Sequence, residues 1–139
     1  MAITYENVVF DRIIESLNTL LADEFSIQIR YDEHKGNHSF LITPGEDELI
    51  ELISKGQSRT YSILISYELT SGGEYTKNHV KQVSEIAERV KRLIMNNVSY
   101  SPSDVYKWHD GRIETITYAR ADGILSANME FVCTSLETL

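Results

Sequence analysis

The sequence predicts an α+β fold in which two amphipathic helices pack on one face of a mostly antiparallel sheet. Two observations support this prediction. Apolar residues recur at helical spacing in two segments, whereas other segments alternate apolar and polar residues with a period of two. Two Asp-Gly pairs lie between alternating segments, and this dipeptide is a strong hairpin signal. Strands joined by hairpins are antiparallel, and their apolar face needs the cover that helices supply.

The helical segments are predicted at 4–23 and 77–97. In the first, the apolar stripe starts at Tyr5 and Val9, and Thr4 is the expected N-cap. In the second, an apolar stripe over 80–94 lies opposite lysines and arginines. Both helices therefore have one face suited to packing on a sheet.

The first strands are predicted on either side of a turn. Residues 25–31 and 40–42 alternate around the turn-forming run 32–37, which indicates a hairpin. The alternation over 59–69 is the clearest in the chain and is rich in β-branched residues. Such a segment is typical of a central strand.

The last strands are predicted around the two Asp-Gly pairs. A strand at 105–108 is expected to turn at 109–111 and return over 113–118. The second pair, at 122–123, leads into a final strand whose apolar residues share one face over 125–133.

Residues 46–54 fit two structures that the sequence does not separate. Their apolar residues suit either a short helix or an irregular loop with apolar anchors. The run Glu46-Asp47-Glu48 at the beginning of this segment favours a helix start, because carboxylates stabilise a first helical turn. The same carboxylates could also bind a cation or act as an acid/base pair.

Composition and charge restrict the class of protein. A chain of 139 residues with 42% hydrophobic content can form one core, so we expect a single domain spanning 1–139. Apolar runs are too short for a membrane span, and the N-terminus lacks signal-peptide features, so we expect a cytosolic origin. The net charge of −8 argues against nonspecific nucleic-acid binding.

One segment departs from the acidic balance. Five basic residues crowd the second predicted helix against two acids, Glu85 and Glu88. The basic residues are Lys77, Lys81, Arg89, Lys91 and Arg92. We interpret them as a solvated helix face, and the alternative is a regulatory surface that contacts phosphates.

Two histidines have the spacing of metal ligands. His34 and His38 would share a face on a helix, but Gly36-Asn37 between them indicates a turn. An exposed loop is therefore the favoured interpretation. No third ligand is near in sequence.

Cys133 is the single cysteine, so the chain forms no internal disulfide. It could act as a nucleophile with His79 or His109. It continues the apolar face of the last strand, however, and is expected to be a buried small hydrophobe. Motifs for phosphate binding, dinucleotide binding, serine nucleophiles and zinc proteases are missing from the sequence. We therefore predict a protein that is not an enzyme and uses no catalytic residues, metal or cofactor.

Aromatic residues and irregular stretches indicate a protein interface instead. Trp108 precedes an Asp-Gly turn, where a core position is awkward, and tryptophan suits interfaces. The irregular stretches 33–38, 44–58 and 108–112 are the expected contact elements. The predicted interface residues are Trp108, His109, Arg112, His34, Lys35 and Glu46.

The order of elements resembles the tail-terminator and tail-completion (neck) proteins of tailed bacteriophages. A helix and a hairpin precede the strand RTYSILISY at 59–67, and the second helix follows it. A C-terminal hairpin then ends in LSANMEFVC at 125–133. The resemblance covers nearly the whole chain and is one of pattern and size. The family has no short diagnostic motif, so no functional residue is transferred from it.

The resemblance implies a structural virion protein that is made in the host cytoplasm and has no membrane contact. Such a protein forms a ring, typically homohexameric, at the head-proximal end of the tail, where it ends tube growth. Its partners would be tail-tube and head-connector proteins, with DNA passing through the lumen without specific binding. Alternatives are a head-tail connector or minor capsid component, a small protein-binding regulatory module, and a small enzyme.

Overall fold

The computed structural model describes residues 3–72 and 75–138. The first helix begins as a π-helical segment, Val8–Ile14, and continues as the α-helix α1, Glu15–Glu24. The second helix, α2, is Lys77–Met95, and a 3₁₀ turn follows at Pro102–Asp104. The strands are β1 (Ile29–Arg30), β2 (His38–Ile53), β3 (Gly56–Thr70), β4 (His109–Ala121) and β5 (Ile124–Thr138).

The five strands form one sheet in the order β1-β2-β3-β5-β4. Every pairing is antiparallel except that of β1 with β2. The expected α+β class, with a mostly antiparallel sheet and two helices, is confirmed. The prediction of a central strand at 59–69 is also confirmed, because β3 pairs along its length with both β2 and β5.

The core lies between the helices and one face of the sheet. β3 contributes alternate residues from Tyr61 to Leu69, and β5 contributes those from Leu125 to Cys133. The α2 stripe that covers them consists of Val83, Ile86, Ala87, Val90 and Ile94, all buried. Each fully buried large side chain contributes about 1.5–3 kcal/mol, so this layer supplies the main driving force for folding.

The predicted start of the first helix is wrong. Asn7, rather than Thr4, caps it, and its side-chain oxygen accepts a hydrogen bond from the Phe10 backbone nitrogen at 3.2 Å. Tyr5 lies outside the helix and is exposed. The segment before the cap is held elsewhere, because Arg12 binds Glu6 through two nitrogens at 2.7 and 3.0 Å.

The predicted first hairpin is also wrong. β1 is two residues long and runs parallel to β2, with Ile29 opposite Phe40. The alternation over 25–31 arises because an extended segment anchors apolar side chains at the margin of the core. Phe25, for example, is buried and packs edge-on against Phe40, with ring centroids 5.2 Å apart.

Residues 46–53 form neither a helix nor a loop but the second half of β2. Register shifts occur between Pro44 and Asp47 and between Leu49 and Glu51. Each shift inserts an extra residue, so the alternation of faces is interrupted and the apolar spacing imitates a helix. The predicted helix start at Glu46-Asp47-Glu48 fails for the same reason.

The segment 105–118 does not form a hairpin, because β4 continues through Asp110-Gly111 at a register shift. A Cβ on Gly111 would lie 2.5 Å from the Trp108 indole nitrogen, so only glycine fits there. The predicted turn at 122–123 is confirmed. Asp122 and Gly123 have φ of 53° and 77° and join β4 to β5 as a two-residue turn.

Candidate functional site

One exposed part of the sheet is the outer half of β2, residues 46–53, which we call the arm. All of its residues are exposed, including four large apolar side chains: Leu49, Ile50, Leu52 and Ile53. Leu52 is 73% exposed and Ile50 is 54% exposed. Contiguous exposed apolar residues of this kind are a candidate contact site.

The two register shifts decide which way the arm presents its side chains. Leu49 lies opposite Arg59 and Leu52 opposite Gln57, and both partners continue the helix-bearing face of β3. Ile53 lies on the other face, opposite Gly56. The arm therefore offers two leucines on one side of the strand.

One polar contact holds the arm on β3, and two others hold the same end of β3 on β5. Arg59 Nε donates to Asp47 Oδ1 at 2.5 Å, and this carboxylate raises the pKa of the guanidinium. Gln57 Nε2 donates to Glu137 Oε2 at 2.6 Å, and the Tyr61 hydroxyl donates to the same carboxylate. Burial, together with Glu137, raises the pKa of Tyr61, so it remains a hydrogen-bond donor. A strand ordered in this way loses little conformational entropy on binding.

Hydrogen bonds of Arg12 join the segment before the first helix to the same end of the sheet. Arg12 Nη1 donates to Ser135 Oγ at 2.7 Å and to the Leu136 carbonyl oxygen at 2.6 Å. Its bond to Glu6 lowers the pKa of that carboxyl. One guanidinium thus joins the N-terminal segment, the first helix and the end of β5. Nothing in the sequence pattern signals this role.

Both outer edges of the described sheet are largely open. β1 pairs only with Phe40 and Leu41, so the remainder of the outer edge of β2 has no strand beside it. β4 forms the opposite edge. Open edges of this length are sites at which another chain can add a strand.

The expected interface role of Trp108 is not supported by its position, because the residue is fully buried. Its ring stacks on Tyr100 with centroids 4.9 Å apart and meets Phe131 edge-on at 5.1 Å. The indole nitrogen donates to the Asn97 carbonyl oxygen at 3.0 Å. The expectation that a core position is awkward here is wrong, since the strand continues and directs the ring inward.

The other predicted interface residues are scattered. His109 Nδ1 lies 2.8 Å from the Tyr106 hydroxyl, and Arg112 Nε donates to Glu114 at 2.6 Å, near the start of β4. Lys35 lies in the loop before β2 and is exposed. Only Glu46 belongs to the arm. The sequence analysis named the stretch 44–58 as a contact element but selected Glu46 within it and not the four apolar arm residues, for which the consecutive apolar residues at 49–50 and 52–53 were the available signal.

His34 is more enclosed than an exposed loop implies. Its Nδ1 lies 2.7 Å from Ser39 Oγ, and its Nε2 lies 3.2 Å from Ser66 Oγ and 3.6 Å from a Glu68 oxygen. Burial lowers the pKa of the imidazole, and Glu68 partly opposes that shift. Although these groups resemble a nucleophile with its base, Ser39 is fully buried, so its hydroxyl is closed to substrate. The cluster fixes the loop 31–37 to the sheet.

The two histidines of the possible metal pair lie on opposite faces of the sheet. His38 Nδ1 bonds the Tyr67 hydroxyl at 2.8 Å on the helix-bearing face, whereas His34 covers the other face. Within 3–72 and 75–138, no cluster of three or more metal-binding side chains occurs. The structure therefore does not bring a metal site together from these residues.

Cys133 is buried, as expected. Burial raises the pKa of its thiol to about 12, so the reactive thiolate is scarce at neutral pH. The arrangement suits packing rather than nucleophilic chemistry.

The basic face of α2 is largely paired with acids. Lys91 lies 2.6 Å and Arg92 3.6 Å from Glu88, and Arg89 lies 3.1 Å from Glu24. Such exposed pairs contribute little to stability, but they lower the positive potential available to a phosphate backbone. The pairing fits the interpretation of a solvated face.

In the described part of the chain, neither helix has the length and apolar content of a membrane span. No protein-family model matches the sequence, and no curated protein is significantly similar to it.

Proposed function

We propose that this chain is a structural virion protein that forms a ring at the head-proximal end of a phage tail. The ring ends tail-tube growth and joins the tail to the head connector. The observation that carries the proposal is the arm, an ordered strand with four exposed large apolar side chains. A monomer gains nothing from exposing them, whereas an assembly buries them.

The open sheet edges support this proposal. A ring needs two different surfaces on each subunit, one for each neighbour. The sheet has two dissimilar open edges, β2 on one side and β4 on the other. Strand addition or side-chain packing at such edges can join subunits without any chemistry.

The electrostatic balance suits a channel through which DNA moves. The chain has a net charge of −8. An acidic wall repels the phosphate backbone and holds DNA away from the protein surface. DNA is thus a passing cargo in this proposal and not a ligand.

The native mass of the purified protein tests the proposal, followed by electron microscopy and binding to tail tubes and to capsids. We expect a closed ring that binds the end of tail tubes. A ring that binds capsids alone would favour a head-tail connector. A particle that stays monomeric at millimolar concentration and binds neither structure would refute the proposal.

A further inference from the structure

The loop 31–37, which joins β1 to β2, is attached to the sheet between its two ends through the side chain of His34. His34 is the one residue of this loop that is not exposed, and its side chain is 14% exposed. The remaining contacts of the loop are local or lie at its ends: Arg30 with Asp32, Lys35 with Glu33, the Tyr31 ring with the Phe10 ring, and the Asn37 carbonyl oxygen with the Thr70 backbone nitrogen.

Both ring nitrogens of His34 have partners on the sheet. Nε2 lies 3.2 Å from Ser66 Oγ and 3.6 Å from a Glu68 oxygen, whereas Nδ1 lies 2.7 Å from Ser39 Oγ. Because the carboxylate favours a proton on Nε2, we assign Nδ1 as the acceptor and the Ser39 hydroxyl as its donor. The same hydroxyl oxygen accepts from the Lys35 backbone nitrogen at 3.3 Å. Ser39 is fully buried, so water does not reach this group of bonds.

A second proton on the imidazole reverses the bond between Nδ1 and Ser39. Nδ1 becomes a donor, so Ser39 Oγ faces two donors, and its own proton needs a new acceptor inside the protein. A buried donor that loses its partner is costly. When the loop opens, water can bond the imidazolium and both hydroxyls, so protonation favours the open loop.

Among the described residues, one charged group opposes this effect, the Glu68 carboxylate. The β5 residues opposite Ser66 and Glu68 are Asn128 and Ser126, which are uncharged. The charged side chains of the loop are paired with one another or with Arg30. Burial outweighs the attraction of Glu68, because the pKa of His34 is lowered despite that carboxylate.

We propose that His34 is a pH-sensitive latch, whose protonation releases the loop 31–37 from the sheet and uncovers Ser39 and Ser66 while the core stays folded. Histidine is the side chain that ordinarily changes charge between pH 5 and 8. A loop that is attached through one titratable side chain opens locally, at a free energy below that of global unfolding. This inference does not depend on ring formation.

The variant Ser66→Cys in the full chain measures the opening, because residue 66 is buried beside the imidazole. The probe is a dipyridyl disulfide, which reacts with thiols at acidic and neutral pH, and each rate is divided by that of a small free thiol at the same pH. The native thiol of Cys133 is buried in the core and reports global unfolding in the same sample. Peptide mapping separates the two labelled positions.

The normalised labelling of residue 66 should rise several-fold between pH 7.5 and pH 5, by at most about tenfold per pH unit because one proton is bound. Labelling of Cys133 should stay slow at both pH values. His34→Gln should abolish the rise, because glutamine does not titrate. His38→Gln is the matched control and should keep the rise, because that histidine bonds Tyr67 on the opposite face of the sheet.

A second measurement needs no cysteine variant and decides the matter if Ser66→Cys fails to fold. The Lys35 amide should lose protection from hydrogen exchange at pH 5 in the wild type but not in His34→Gln, after correction for the intrinsic pH dependence of exchange. Equal labelling of residue 66 at the two pH values, or a rise that persists in His34→Gln, would overturn the proposal. A rise that Cys133 follows in parallel would show global unfolding and have the same consequence.

Discussion

Replacing Trp108 with alanine should destabilise the folded monomer severely, because the residue is a core anchor. The indole is fully buried between Tyr100 and Phe131, at 4.9 and 5.1 Å between ring centroids. Truncating a buried tryptophan to alanine costs about 3–5 kcal/mol. The change also leaves the Asn97 carbonyl without the donor that now lies 3.0 Å away, which adds roughly 1 kcal/mol or more.

Folded domains are stable by only about 5–15 kcal/mol, so a loss of this size is a large fraction of the total. Urea denaturation followed by circular dichroism measures it, since Trp108 is the single tryptophan and its removal abolishes the tryptophan fluorescence. Trp108→Phe is the matched variant, because it retains an aromatic ring and loses the hydrogen bond.

We expect the alanine variant to lose several kcal/mol and the phenylalanine variant to lose less. Assembly should fall only in proportion to the loss of folded protein. A loss of less than about 1 kcal/mol in the unfolding free energy of the alanine variant would refute the assignment of Trp108 to the core. If the variant no longer forms rings but has an unchanged unfolding free energy, Trp108 would instead be an interface residue.

Three other outcomes follow from local geometry. Burial lowers the pKa of His34 below 6.5, so its contribution to stability is intact above about pH 6.5 and declines as the pH falls below that value. In His34→Gln the unfolding free energy, measured by denaturation at pH 7.5 and pH 5, should therefore fall less between the two pH values than in the wild type. An equal fall in both proteins would contradict this. Gly56→Ala should lower the free energy of unfolding by about 1–3 kcal/mol, because the new Cβ would lie 2.0 Å from the Glu137 carbonyl oxygen and the strands must separate. An unchanged melting temperature would show that the strands adjust freely. Burial raises the pKa of the Cys133 thiol to about 12, so a thiol reagent at pH 8 should label the folded protein slowly and the unfolded protein fast. Rapid labelling of the folded protein would show that the thiol is accessible.

Local patterns were sufficient for α2, β3 and the last turn. The apolar stripe of α2 and the alternation of β3 each depend on neighbours within a few residues, so the sequence alone predicted both. The turn at Asp122-Gly123 was equally readable, because its two positive φ angles demand those residue types. The fold class followed from these elements.

The candidate site could not be predicted in the same way. Whether residues 46–53 form a strand depends on pairing with β3, and the two register shifts there erase the two-residue alternation. Trp108 points inward because β4 continues past Gly111 and places the ring against Phe131, a residue distant in sequence. No local window contains those partners.

The amino-acid sequence by itself determined the helix α2, the strands β3 and β5 and the need for apolar faces to pack together, because periodicity is a local property. Only the tertiary structure decided the strand order, the parallel β1 and the exposed arm. The physical reason is that register and exposure depend on contacts between residues far apart in the chain. Those contacts produce no periodic pattern in the sequence of either segment.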